Sequence, residues 1–129
     1  MNTFLANAAP ILRSILRIVT GLLFIQHGTQ KWLLFPSGTT RASIESLSGI
    51  AGLLELVGGT LVIVGLFTRP VAFVLSGLMA FAYFIAHAPQ GFWPILNRGE
   101  LAALYCFVFL YLAAAGGGPW SLDRALRKV

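Results

Sequence analysis

Residues 13–31 read "RSILRIVTGLLFIQHGTQK". The stretch is apolar enough for a membrane helix, yet it carries Arg13, Arg17, Gln26, His27 and Lys31. On a helical wheel at ~100° per residue, Arg13, Arg17, Thr20, Phe24, His27 and Lys31 fall within an arc of roughly 80°. The other faces are Ile, Leu, Val and Phe. A charge at the bilayer centre costs ~2.5–3.5 kcal/mol even on the lenient insertion scale. A single polar stripe turned towards helical neighbours lowers that cost, whereas charges scattered round the helix would not. The stripe predicts a bundle rather than a lone span. Arg13 and Lys31, near the ends, can snorkel towards the headgroups.

The whole chain agrees. It has 129 residues, of which 57% are hydrophobic and 10% charged, with a net charge of +5. An average soluble domain is about a quarter charged, and a chain this short cannot bury so much apolar surface from water. The expectation is an integral membrane protein in contact with the lipid bilayer. The basic residues are spread along apolar segments, which fits membrane orientation and argues against a nucleic-acid partner. Arg13 and Arg17 interrupt the apolar core that a cleaved signal peptide needs. The single cysteine, Cys106, allows no internal disulfide and packs as a small hydrophobe.

Punctuation divides the chain into four apolar segments: about 11–35 after Pro10, 46–67, 71–87 after the "TRP" turn, and 100–115 before "GGGP". Barrel strands would alternate apolar and polar residues, and that alternation is absent. The expected fold is an all-α integral membrane four-helix bundle with antiparallel up-down topology, one domain over 1–129. A short amphipathic segment ends it, with Leu122, Ala125, Leu126 and Val129 on one face and Trp120 at headgroup level. Arg13, Arg17, Arg69, Arg124, Arg127 and Lys128 fall on the side of the termini, and Lys31, Arg41 and Arg98 on the other. The positive-inside rule therefore puts both termini in the cytoplasm.

The second segment carries one acid, Glu55, on a face with Gly49, Gly52 and Gly59. Small residues let membrane helices approach closely, so Glu55 is expected to point inward. Depths along the helices of ~9 Å for Arg17, ~18 Å for Glu55 and ~24 Å for His27, measured from the same side, make either Arg17 or His27 its candidate partner. At the outer end come His87 and "APQGFWPILNRGE", with Phe92, Trp93, Asn97, Arg98 and Glu100; a carboxylate at a helix start faces the positive end of the dipole. Two readings of these groups stand open: they pin the bundle together, or they line a polar pocket near the outer face. A carboxyl in low dielectric can carry a proton, so Glu55 and His27 are the candidates for proton exchange. Arg17, Lys31, His87, Phe92, Trp93, Asn97 and Glu100 are the candidate ligand-binding residues. No CxxC, GxGxxG, P-loop or HExxH motif is present, and no metal site is expected.

"RIVTGLLFIQHGTQK" (17–31), "ELVGGTLVIVGLFTRPVA" (55–72), "HAPQGFWPILNRGE" (87–100) and "GGGPWSLD" (116–123) together resemble the DoxX family of small four-helix bacterial membrane proteins. The resemblance runs in order along nearly the whole chain and marks Arg17, His27, Lys31, Glu55, Arg69, His87, Asn97 and Glu100. Many similar sequences have a glycine where this chain has Arg98. The resemblance implies a bacterial inner-membrane protein linked to quinone or thiol redox, since named relatives include a thiosulfate:quinone oxidoreductase subunit and a membrane component of a complex handling thiol stress. A quinone head would then enter the outer pocket, with Phe92 and Trp93 flanking its ring. The chain has no electron carrier of its own, so an oxidoreductase partner is implied, with a homo-oligomer as a further possibility. The alternatives are a small proton-coupled transporter built on Glu55 and a structural scaffold.

Overall fold

The computed structural model describes residues 3–38 and 40–126. The first helix, α1 (Thr3–Leu33), begins well before the expected start at Ile11 and runs through Pro10. A proline inside a helix removes one backbone donor, a loss that membrane helices tolerate. The second helix, α2 (Leu47–Val64), starts at Ser46, whose hydroxyl accepts the Gly49 N–H at 2.9 Å, as an N-cap should. It ends at Gly65, held in the left-handed conformation at φ 72°, whose N–H returns to the carbonyls of Leu61 and Val62.

Only two residues then separate Gly65 from α3 (Thr68–Ala82), so "TRP" forms the first turn of that helix rather than a linker before it. The helix continues as a π-helical turn, Tyr83–His87, and a 3₁₀ turn, Ala88–Gln90. The short α4 (Pro94–Asn97) leads into α5 (Glu100–Ala115), and α6 (Leu122–Ala125) follows the glycine loop. The rest of the expected amphipathic tail, Arg127, Lys128 and Val129, lies outside the described residues.

Three helical stretches, Thr3–Leu33, Leu47–Val64 and Thr68–Gln90, are long and apolar enough to cross a membrane, and Glu100–Ala115 is shorter. The fold is an all-α membrane bundle. The bundle is two hairpins, α1 with α2 and α3 with α5, which meet chiefly along α2 and α3. Phe24 of α1 closes the ring against α5, with its ring 5.3 Å from Tyr105 and 4.9 Å from Phe109, both edge-on. Val62, Ala72, Leu75, Met79 and Leu112 complete the core. The interior also holds polar residues (Ser14, Arg17, Thr20, Glu55, Thr68, Ser76, Asn97 and Asp123), while Val57, Phe73, Leu104 and Phe107 face outward. That inversion suits a protein solvated by lipid, where each buried polar group must find an internal partner.

The α1–α2 register positions everything that follows. Gly21 of α1 lies against Val62 and Ile63, Gly59 of α2 against Ile25, and Gly28 against Gly52 and Leu56. A Cβ on Gly28 would sit 2.8 Å from the Gly52 carbonyl oxygen and 2.9 Å from the Leu56 nitrogen. Only glycine allows the backbones this close. Trp32 completes the series, its indole N–H donating to the Gly49 carbonyl at 2.9 Å.

Candidate functional site

This antiparallel register splits the basic stripe of α1 between the two ends of the bundle. Residues 17–21 meet the C-terminal turn of α2, and residues 28–32 meet its first half. Glu55 therefore faces the Lys31 end. The Lys31 ammonium donates to Glu55 Oε1 at 2.8 Å, with the two side chains 30% and 4% exposed. The expected Arg17–Glu55 pair does not form: Arg17 bonds to α2 at Val62 and Ile63, about two turns beyond Glu55. Lys31 was expected to snorkel. Glu55, lying within its reach, holds it instead.

Arg17 is fully buried and reads as a structural clasp. Its Nε donates to the Val62 carbonyl at 2.9 Å, Nη1 to the Gly117 carbonyl, and Nη2 to the carbonyls of Trp120 at 2.6 Å and Ile63 at 3.4 Å. The last carbonyls of a helix carry partial negative charge, so the end of α2 and the glycine loop neutralise a guanidinium that no carboxylate bonds among the described residues. Ser14 reinforces the clasp: its hydroxyl donates to Gly117 at 3.0 Å and accepts the Trp120 N–H at 3.0 Å. Asp123 accepts the N–H groups of Phe67 and Thr68 at 2.7 and 2.8 Å, which caps α3. The Arg69 guanidinium donates to the Ala114 carbonyl. Arg17, Arg69 and "GGGPWSLD" are thus one assembly that ties the ends of all four long helices together.

At the opposite end lies a cavity of about 340 Å³. Its polar wall is His27, Lys31, Glu55, His87, Arg98 and Tyr105, and its apolar wall is Met79, Ala82, Ala86, Leu101 and Ala102. His27 packs its ring 6.0 Å from Tyr105, perpendicular to it. His87 is carried by the π-helical turn, and its Nδ1 lies 3.0 Å from the Asn97 carbonyl oxygen. A carbonyl only accepts, so Nδ1–H is the donor in this bond and Nε2 takes no part in it. Among the described residues, no three His, Cys, Asp or Glu side chains are grouped closely enough to hold a metal ion.

Five expected site residues do not line this cavity. Arg17 is at the other end, for the reason of register. Phe92 and Trp93 are 81% and 62% exposed, with their rings 5.1 Å apart and edge-on to each other, an arrangement suited to interfacial anchors. Glu100 is exposed at the start of α5, where the helix dipole accounts for it. Asn97 is fully buried but acts on the loop: its amide donates to Gly91 O at 2.9 Å and to Tyr83 Oη at 3.2 Å, and its Oδ1 accepts the Gly99 N–H at 2.8 Å. It reaches the cavity indirectly, through the carbonyl that orients His87.

Sequence reasoning did not single out Tyr105, Ser14 or Asp123. Tyr105 had a readable signal, since it falls in the 3–4–3 spacing of Ala102, Tyr105, Phe109 and Leu112, the buried line of α5. Arg98 sits in the left-handed conformation at φ 64°, the backbone state that glycine adopts most easily.

A family model described as DoxX matches residues 12–88. The chain belongs to the DoxX family. Its relatives share most of the chain. An uncharacterized protein of Haemophilus influenzae is 46% identical, covering 92% of this chain and 93% of its own length. An uncharacterized membrane protein of Mycobacterium tuberculosis is 33% identical, over 88% of this chain and 80% of its own. A second Haemophilus influenzae protein is 29% identical, over 89% and 83%. No solved structure matches this DoxX chain. Family and helices together make it a membrane protein in contact with the bilayer.

Proposed function

We propose that this DoxX chain is a membrane subunit or anchor of a quinone- or thiol-linked redox complex, and that the cavity at the Glu55 end receives a quinone head. The observation that carries the reading is the convergence of a buried acid, a lysine, two histidines and a tyrosine on one 340 Å³ space with an apolar opposite wall. A quinone head is a flat apolar ring with two carbonyl acceptors. The donors Lys31, Tyr105 and His27 match its carbonyls, and Met79, Leu101 and Ala102 match its faces. A bound quinone supplies two-electron, two-proton chemistry, and the electrons come from a partner oxidoreductase.

The protein's own groups handle protons. Glu55, held by Lys31, is the buried carboxylate that can take one up, with His27 beside it on the same wall. His87, with Nδ1 engaged by the Asn97 carbonyl, has Nε2 as a further site for proton exchange. The excess of basic residues on the side of the termini supports an orientation with those termini in the cytoplasm of a bacterial inner membrane and the cavity near its outer face.

Quinone titration of the purified protein, followed by tryptophan fluorescence, tests the reading. Saturable quenching in wild type, weakened at least about tenfold in Glu55→Gln, is the expected result; tenfold corresponds to loss of one charge-assisted contact. No saturable response, or the same response in Glu55→Gln, overturns it. Proton uptake driven by a cationic substrate in proteoliposomes would point to the transporter instead.

A further inference from the structure

The Arg17 end contains a second cavity, separate from the proposed quinone site, of about 160 Å³. Arg13 of α1, Thr68 and Arg69 in the first turn of α3, and Arg124 of α6 line it, with Gly116–Gly118 as its floor. Asp123 lines it too, but both carboxylate oxygens are taken by backbone N–H groups. Three arginines thus line the cavity beside one carboxylate that is already engaged. The only ion pair among the described residues is Lys31–Glu55, at the other end.

Two buried polar atoms here lack a partner. Thr68 is fully buried, yet its Oγ1 makes no hydrogen bond among the described residues, and neither does the buried Arg13 Nε. Buried polar atoms are almost always satisfied, so an unsatisfied hydroxyl beside uncompensated arginines marks a place for an acceptor. Gly116, at φ 83°, keeps that place open, because a Cβ there would sit 3.2 Å from Arg69 Nη2. Guanidinium forks match phosphate oxygens in geometry and charge.

We propose that this cavity binds a phosphate oxyanion, presented by an anionic lipid headgroup or by free phosphate. Thr68 Oγ1 and Arg13 Nε are the donors that lack partners without it, and Arg69 and Arg124 supply the charge. Its position at the loop end of a membrane bundle puts it at headgroup depth.

Delipidated full-length protein in neutral detergent is titrated separately with dioctanoyl phosphatidylglycerol and with inorganic phosphate. The readouts are the thermal midpoint and, for the lipid, adducts in native mass spectra. The expected result is saturable stabilisation, with one retained adduct per chain in the lipid arm. Arg13→Gln and Arg124→Gln each weaken the apparent affinity about fivefold, the usual weight of one basic residue at a membrane surface. Arg41→Gln, in the loop at the opposite end, leaves it unchanged. A response to lipid alone assigns the headgroup as the source, and an equal response to inorganic phosphate assigns the free ion. The proposal is overturned if neither ligand saturates, if the two arginine variants bind like wild type, or if Arg41→Gln loses as much as they do. Arg124 is exposed, so Arg124→Gln still decides the matter should Arg13→Gln fold poorly.

Discussion

Arg17 and Glu55 are both buried charges on facing helices, and they solve the same problem in opposite ways. Arg17 spends every nitrogen of its guanidinium on carbonyls of α2 and the glycine loop. Among the described residues Glu55 has one bonded partner, Lys31, which is itself 30% exposed and shares a cavity with Glu55. A charge whose bonding capacity is saturated by backbone is committed to architecture. A charge held by a single partly exposed side chain beside open space stays available for chemistry. Of the two readings that the sequence left open, pinning holds at the first end, and the second end has the geometry of a pocket.

The largest effect that would test this contrast is on Arg17. Arg17→Ala removes a donor from four carbonyls; Val62 and Gly117 keep the Gly65 N–H and the Ser14 hydroxyl, whereas Ile63 and Trp120 lose theirs at about 1–3 kcal/mol each, and the void left by a fully buried side chain adds to that. Folding in detergent or bicelles should be lost or weakened by upwards of about 3 kcal/mol, measured by denaturant titration. Arg17→Lys keeps the charge without the fork and should recover little of it. If Arg17→Ala is no less stable than Glu55→Gln, the division of labour between the ends is wrong.

Next is the helix contact that sets the register. Gly28→Val forces a branched side chain against the Gly52 carbonyl and should cost about 2 kcal/mol, within the usual range for overpacking. It should also part Lys31 from Glu55 and so weaken quinone binding, whereas enlarging the exposed Gly77, around which a Cβ would meet nothing within 4 Å, should change neither.

A smaller effect is expected from the ion pair. In a Lys31→Met and Glu55→Gln double-mutant cycle, the coupling in stability should be about 1 kcal/mol, because the partly exposed lysine is screened. The same cycle should show a much larger coupling in quinone affinity. Smallest of all, Phe92→Ala and Trp93→Ala should leave quinone affinity within about twofold, since each exposed aromatic stands outside the cavity and a surface substitution is worth within about 0.5 kcal/mol. A tenfold loss in either would return them to the site.

The part of this arrangement legible in the sequence is its chemistry per helix. The stripe from Arg13 to Lys31 and the inward glycine face around Glu55 follow from a fixed helical period, and His27, Lys31, Glu55 and His87 do meet at one cavity. What depth along separate helices does not supply is the offset between them. Counting residues from assumed starts left Arg17 and His27 as equal candidates for Glu55 and overlooked Lys31. Gly28 against Gly52 settles the offset, because that close approach allows a single alignment.

By itself, then, the sequence determined an all-α membrane bundle with a polar interior, because helical period and apolar length are local properties of the chain. Only the tertiary structure decided which buried charge is clasped and which is left beside a cavity. That choice depends on carbonyls donated by segments about 100 residues away in the chain, such as Gly117 against Arg17, and backbone acceptors carry no signature in residue type.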